Sequence, residues 1–461
     1  MTEPLTVAVV GSGPAGFYTA ETLLSQAGLD VRVDMYERLA TPWGLVRAGV
    51  APDHPKIKSV SAKYVETADH EHFRFFGNVH VGGSADGTAD VSREELTERY
   101  DAVVYTIGAQ SERKLGIAGE DLPGCEAAVD FVGWYNGHPD YAGLSFDFSH
   151  RRAGVIGAGT VALDVARILC SPVDRLARTD IADHALEALA DSRVEEVMVI
   201  GRRGPVQAAF TTAELKELPE YTESGVKMFP EDLPDPAGDD GLPRAVKRNI
   251  GIMRGYAAGD TALGKRHITL RFLRSPVELQ GTDRVEAIVL GRNELKTADD
   301  GWVSAVDTGE RETLDAGLVF RAVGYKGLPI AGLPFDERKG VIPNTCGRVD
   351  GTEREYVAGW IKRGPSGIIG TNKKCAVDTV TQLLADLESG ALRPHPADQH
   401  GDRHGGIETW LRGRQPHLVT EQGWRLIDAA ERAAGEPNDR PRVKLVDRER
   451  LLSVALGSTP A

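Results

Sequence analysis

Short apolar runs recur along the chain, each leading directly into glycines and then into a helical pattern. Thr6-Val-Ala-Val-Val10 is the first, the near-continuous run expected of a parallel strand buried on both faces. Gly11-Ser-Gly13-Pro-Ala15-Gly16 follows, Phe17 to Ala27 reads as a helix ended by Gly28, and a second strand, Val31 to Tyr36, closes on Glu37. The same order returns later. Arg152 to Ile156 leads into Gly157-Ala158-Gly159-Thr160-Val161-Ala162 and a helix reaching Leu169. A polar, helical insertion at about Ser171 to Ser192 precedes a strand from Val194 to Ile200, which ends in Gly201-Arg202-Arg203-Gly204-Pro205. Units of this kind predict an α/β chain with two Rossmann-like dinucleotide-binding domains.

The turns carry the candidate chemistry. In the first, Gly11 suits a tight turn, Gly13 lets the backbone approach a pyrophosphate, and Gly16 allows close helix–strand packing. The helix start then offers unpaired N–H groups and a positive dipole end to phosphate. Glu37, about 20 residues past the last glycine, stands where an acid accepts hydrogen bonds from a ribose diol. This loop by itself does not separate FAD from NAD. In the second turn alanine takes the packing position, and Arg202 and Arg203 replace the ribose-reading acid. Guanidinium forks suit a 2′-phosphate, so this unit is expected to read NADP(H). Two such units in one chain predict a two-cofactor enzyme.

The 461 residues allow two or three domains with their own cores. The N-terminus lacks a secretory pattern, and no apolar run approaches the ~18 residues of a spanning helix, so a cytoplasmic protein without membrane insertion is expected. A net charge of −14 argues against nucleic acid as a main partner. Cys125, Cys170, Cys346 and Cys375 are scattered without a C-x-x-C pair and read as buried or incidental thiols. One stretch runs against the net charge. From Arg244 to Arg274 it holds Arg244, Lys247, Arg248, Arg254, Lys265, Arg266, Arg271 and Arg274 and a single acid, Asp260. It reads either as a solvated face or as a docking surface for an acidic partner.

Two further strings make the reading specific. They are Trp43-Gly-Leu45-Val-Arg-Ala-Gly-Val-Ala-Pro-Asp-His54-Pro-Lys-Ile-Lys58 and Val357-Ala-Gly-Trp360-Ile-Lys-Arg-Gly364-Pro-Ser-Gly367-Ile368-Ile369-Gly370-Thr-Asn372. With the Gly201-Arg202-Arg203-Gly204-Pro205 turn, they resemble the adrenodoxin-reductase-type ferredoxin–NADP⁺ reductases, including bacterial members. The resemblance runs from about Val7 to Asp378 and more loosely beyond. It implies FAD at Gly11, Gly13, Ala15, Gly16, Glu37, Leu45, Val81, Trp360, Gly367, Ile368 and Ile369. It implies NADP at Gly157, Ala158, Gly159, Thr160, Val161, Arg202, Arg203, Glu214 and Gly367. The family's usual Gln and Asn in the second loop are here Ala158 and Thr160, which leaves the backbone cradle to do the binding. His54 and Glu214 are implied as positioning residues or members of a proton network. The implied reaction passes hydride from NADPH to the flavin N5, then single electrons to an acidic, ferredoxin-type iron–sulfur protein. Its docking surface is implied around Arg244, Lys247 and Arg248.

The domain expectation follows the same resemblance. An FAD domain covers 1–107 and 321–461, and an NADP domain, 108–320, is inserted in it. Thr106-Ile-Gly108 and a return strand from Leu314 to Val323 mark the crossings. The proline- and glycine-rich acidic segment from Pro230 to Gly241 reads as a loop, and residues past about 390 as a linker into a helical tail. His395, His400 and His404 are expected to be solvated rather than metal ligands. Rival readings lack their marks. A thioredoxin-reductase-type enzyme needs a C-x-x-C, and the electron-input subunit of glutamate synthase carries cysteine-rich segments. A flavin monooxygenase and a non-enzymatic NADP(H) sensor remain as alternatives.

Overall fold

The computed structural model describes all residues except 1–3, 83–88, 223–224, 260–263, 396–402 and 458–461. The chain divides into two compact units. One comprises Met1–Val50, His54–Ser111 and Tyr325–Ala461, the other Ala51–Asp53 and Glu112–Gly324.

In the first unit, strand Leu5–Val10 is buried along its whole length and pairs in parallel with Val31–Tyr36 and Ala102–Tyr105. Eight strands lie in the order Asn344–Thr345, Arg348–Val349, Glu355–Val357, Ala102–Tyr105, Leu5–Val10, Val31–Tyr36, Phe73–Gly77, Val419–Thr420. The pleat sends Val7 and Val9 into one layer with Phe17, Tyr64 and Trp424. Ala8 and Val10 enter the opposite layer with Val91, Tyr105 and Ile342. Covering both faces is what makes the sequence of this strand unbroken in its apolarity. Helix Pro14–Leu24, with proline in its first turn, packs on helix Ile369–Ser389.

The second unit has a six-stranded parallel sheet in the order Cys125–Ala127, Leu318–Arg321, Arg152–Ile156, Glu196–Ile200, His267–Arg271, Val226–Met228. An antiparallel sheet of Arg274–Gln280, Ala287–Thr297 and Val303–Asp315 is appended to it. The single return strand expected from Leu314 to Val323 is therefore two pieces. Asp315 ends the hairpin, and Leu318–Arg321 enters the parallel sheet after a break at Gly317, where a Cβ would lie 2.1 Å from the His150 ring. The acidic segment holds two short 3-10 turns, Pro230–Asp232 and Pro236–Gly241. The tail forms helices Arg403–Arg414, Glu421–Gly435 and Arg448–Ala455. Among the described residues no helix is long and apolar enough to cross a membrane.

Candidate dinucleotide sites

The first glycine loop is crowded at its two ends and open in its middle. Gly11 has φ +105°, and a Cβ there would lie 2.8 Å from the Thr106 carbonyl oxygen. A Cβ on Gly16 would meet the Gly11 oxygen at 2.1 Å, whereas above Gly13 the nearest atom is Gly44 Cα at 4.0 Å. Helix Pro14–Leu24 starts without a side-chain cap and without an acid in its first turn, so its free N–H groups suit an anion. Glu37 is held beside this turn. Its carboxylate accepts from the Ser12 hydroxyl at 2.6 Å, the Ser12 N–H at 3.2 Å and the Leu39 N–H at 3.0 Å.

Two other segments close on this loop. Trp43 donates its N–H to the Ser12 carbonyl at 3.0 Å, and a Cβ on Gly44 would come 2.9 Å from Gly13 Cα. Leu45 follows on the exposed side. Gly359, which donates its N–H to Cys375 Sγ, approaches so closely that a Cβ would lie 2.6 Å from Ala15 Cβ. Trp360 follows, its ring 5.5 Å from that of Tyr325, and its buried indole N–H finds no acceptor among the described residues. Gly367 has φ +82°, Ile368 is exposed, and helix Ile369–Ser389 begins without a side-chain cap. The structure thus brings Gly11–Gly16, Leu45, Trp360 and Gly367–Ile369 to one end of the sheet. Val81 is buried in the apolar layer with Val10 and Tyr105. His54, also buried, stands before the short helix Pro55–Lys58 and accepts the Ile57 and Lys58 N–H groups on its carbonyl.

The second loop repeats the plan. Gly157 has φ +147° and a Cβ would meet the Ala322 oxygen at 2.3 Å, while Gly159 has nothing within 4 Å. Ala162 is buried behind it, Thr160 is exposed, and helix Thr160–Cys170 starts uncapped with no acid in its first turn. The chain folds back so that Ala209 donates its N–H to the Ala158 oxygen. Arg202 is exposed and Arg203 half-buried, and neither guanidinium has a carboxylate partner among the described residues. Arg203 lies over the ring of the exposed Trp302 at 5.6 Å. Glu214 acts locally. Its carboxylate accepts the Thr211 N–H at 2.6 Å, and Thr211 Oγ1 accepts the Glu214 N–H in return, a reciprocal cap on helix Thr212–Thr222.

Asn293 is a residue that reading the sequence missed. Buried in strand Ala287–Thr297, it donates through Nδ2 to the Arg202 carbonyl at 2.8 Å and to Ser275 Oγ at 2.8 Å, so the appended sheet braces the arginine turn. Its signal was an asparagine inside an otherwise strand-like run, a type depleted there.

The basic stretch needs correction as a single surface. Arg271 and Arg274 are buried and face Asp232 and Glu312, and Arg254 pairs with Asp239. On helix Arg244–Ala258, Arg244 and Arg248 stay exposed without a carboxylate partner among the described residues, and Lys247 stands 3.8 Å from Asp240. Cys125, Cys170 and Cys375 are buried, with burial pushing the Cys125 thiol to about 11 and that of Cys170 to about 12; Cys346 is exposed. His395 is not simply solvated, since its ring meets Arg354 at 2.7 Å and the Thr97 carbonyl at 3.0 Å. His400 lies outside the described residues, as does the His404 side chain. No metal-holding cluster occurs among the described residues.

Two open glycine turns with uncapped helices behind them, one closed by an acid and one by arginines, define a two-dinucleotide oxidoreductase. Residues 5–223 match the family model described as pyridine nucleotide-disulphide oxidoreductase. The chain is 54% identical over 464 residues to the NADPH-ferredoxin reductase FprA of Mycobacterium tuberculosis, covering 98% of this chain and 100% of the relative. It is 44% identical to the mitochondrial NADPH:adrenodoxin oxidoreductase of Salvelinus fontinalis, covering 97% and 91%. A solved structure of Mycobacterium tuberculosis FprA in complex with NADPH aligns with a TM-score of 0.93 at 53% identity, covering 99% of this chain and 100% of that one. The chain belongs to the NADPH-ferredoxin reductase family.

Proposed function

We propose that this chain is an FAD-dependent NADPH:ferredoxin oxidoreductase. The observation that carries the reading is the pairing of two open glycine loops with opposite partners, Glu37 on the first and, on the second, Arg202 and Arg203, which have no carboxylate partner among the described residues. Bound FAD supplies the conversion between the two-electron hydride of NADPH and the single electrons an iron–sulfur protein accepts.

The chain's own residues bind and orient. On this reading Gly11, Gly13, Ala15 and Gly16 cradle the FAD pyrophosphate, Glu37 takes the ribose hydroxyls, Leu45 and Val81 are further FAD contacts, and Trp360 and Gly367–Ile369 wall the flavin. The Trp360 indole N–H, buried without an acceptor among the described residues, supports that assignment. Gly157–Val161 take the NADP pyrophosphate, and Arg202 and Arg203 the 2′-phosphate. Glu214 and His54 are assigned to positioning, because hydride transfer needs no general base. The exposed Arg244 and Arg248, with Lys247, form the docking face for an acidic iron–sulfur protein, and residence in the cytoplasm completes the proposal.

Anaerobic stopped-flow mixing tests the core of it. Fast bleaching of the visible flavin band by NADPH, much slower bleaching by NADH and recovery on adding ferredoxin are the expected results. No bleaching by NADPH would sink the hydride step, and bleaching that ferredoxin fails to reverse would discard the partner. Arg244→Glu with Arg248→Glu should slow only the recovery, and flatten its dependence on salt.

A further inference from the structure

The tail after residue 415 carries a buried acid bonded to the segment beside the first glycine turn. Glu431 sits in helix Glu421–Gly435 with no exposed side-chain surface. Arg47 grips it with both guanidinium ends, at 2.8 and 2.6 Å. Arg442 donates to it at 3.1 Å and to Asp428 at 2.6 Å, and the Leu445 N–H donates at 2.8 Å. Burial pushes the Glu431 carboxyl up, but Arg47 and Arg442 outweigh burial and hold it below the ordinary carboxylate range. Lys444 adds a bond to the Arg47 carbonyl.

Aromatic contacts extend the grip to the residue that touches the loop. Trp43 meets Trp424 of the tail edge-on with centroids 4.9 Å apart, Arg442 lies over the Trp43 ring at 5.8 Å, and Arg47 over that of Trp424 at 5.4 Å. Trp43 is held at φ +83°, a conformation costly for a tryptophan and kept only where surroundings impose it. Its N–H is the one that binds the Ser12 carbonyl, between Gly11 and Gly13. A buried ionic set is not needed for stability, since apolar residues of similar volume often serve as well or better. What it adds here is a fixed position for Trp43 and Arg47.

We propose that the C-terminal helices clamp the Trp43–Ala48 segment against the dinucleotide loop, with Glu431 as the positioning residue that sets how tightly FAD is held. The inference rests on the reading that this loop is the FAD site.

The test measures the FAD dissociation constant of the full-length protein, by flavin fluorescence during removal and refilling, alongside its thermal unfolding. Glu431→Gln, isosteric but uncharged, should raise that constant about tenfold, a fraction of the cost of unbalancing a buried ion set. Arg47→Lys keeps the charge and loses the fork, so a smaller, severalfold rise is expected even if the first variant folds poorly. Leu189→Ala, a buried apolar change on helix Asp183–Ala190 of the second unit, should lower the melting temperature yet leave the constant unchanged. Binding of 2′,5′-ADP should be the same in all three. Unchanged FAD affinity in both ionic-set variants, or an equal rise in Leu189→Ala, would overturn the clamp. A wild-type protein that takes up no FAD overturns the cofactor reading itself and the clamp with it, a separate outcome.

Discussion

The two glycine loops are nearly the same object locally and are braced in different ways. Each has a crowded first glycine, an open second one and an uncapped helix behind it. The first is supported by a segment that a buried ionic set ties to residues almost four hundred positions away. The arginine turn beside the second is supported by a neutral amide, Asn293, on a sheet that follows it closely in the chain. A charged brace is strong only while complete, because each missing partner strands a buried charge. A neutral one loses hydrogen bonds without stranding a charge. The comparison teaches that a turn's motif tells what it binds, while its surroundings tell how firmly it is held.

The largest separation of the two should come from the crowded glycines. Gly11→Ala is expected to yield protein without FAD. Gly157→Ala should keep its flavin spectrum and lose NADPH binding by at least about tenfold, from steric clash plus a strained φ. Flavin retention in the first or flavin loss in the second would break the assignment of loops to cofactors. Replacing Arg202 and Arg203 together by alanine should come next. With ~1.5–3 kcal/mol for each charge-assisted hydrogen bond, kcat/KM for NADPH should fall roughly a hundredfold or more while that for NADH barely moves. An equal fall for both cofactors would remove the 2′-phosphate role. Asn293→Ala sharpens the contrast further. It should cost ~1–2 kcal/mol, seen as a severalfold rise in KM for NADPH with flavin content unchanged.

The smallest effect is one of pH, and its sign differs between the units. Glu431, held low by its arginines, contributes stability present above the unfolded-state value and lost as pH falls through its folded value. Glu112 in the second unit behaves oppositely. Burial, opposed by Arg321, pushes its carboxyl from 4.5 up to about 8. Its contribution is therefore full below about 4.5 and lost as pH rises toward 8. Glu112→Gln should flatten the fall in melting temperature between pH 5 and 8 by roughly a few degrees. An unchanged slope would assign that fall to other groups.

Both turns and the α/β architecture were legible because they depend on neighbours in the chain. Gly11, Gly16 and Gly157 are glycines for reasons a few residues away or at the end of the adjacent strand, and the apolar run at Val7 to Val10 reports burial on two faces. The basic stretch was only half legible. Counting charges does not tell that strand His267–Arg271 lies inside a sheet and turns Arg271 toward the buried Asp232. Glu214 was singled out from resemblance, and its reciprocal cap with Thr211 follows from spacing that was there to be read. Glu431 could not have been found at all. An acid in an amphipathic helix looks solvated until the partner that buries it, Arg47, is known.

That partner's distance bears on how the protein is made. The second unit is almost one continuous stretch, Glu112–Gly324, and can close once that stretch has left the ribosome. The first unit lacks the strand Val419–Thr420 at its sheet edge and the grip on Arg47 until Val419 to Glu431 are synthesised. At ~5–20 residues per second, its N-terminal third waits many seconds half-built. Arrested nascent chains ending near residue 400 should accordingly show a protease-resistant second unit and a labile first one. On the clamp reading, truncation before Glu431 should be felt first as failed flavin loading during synthesis.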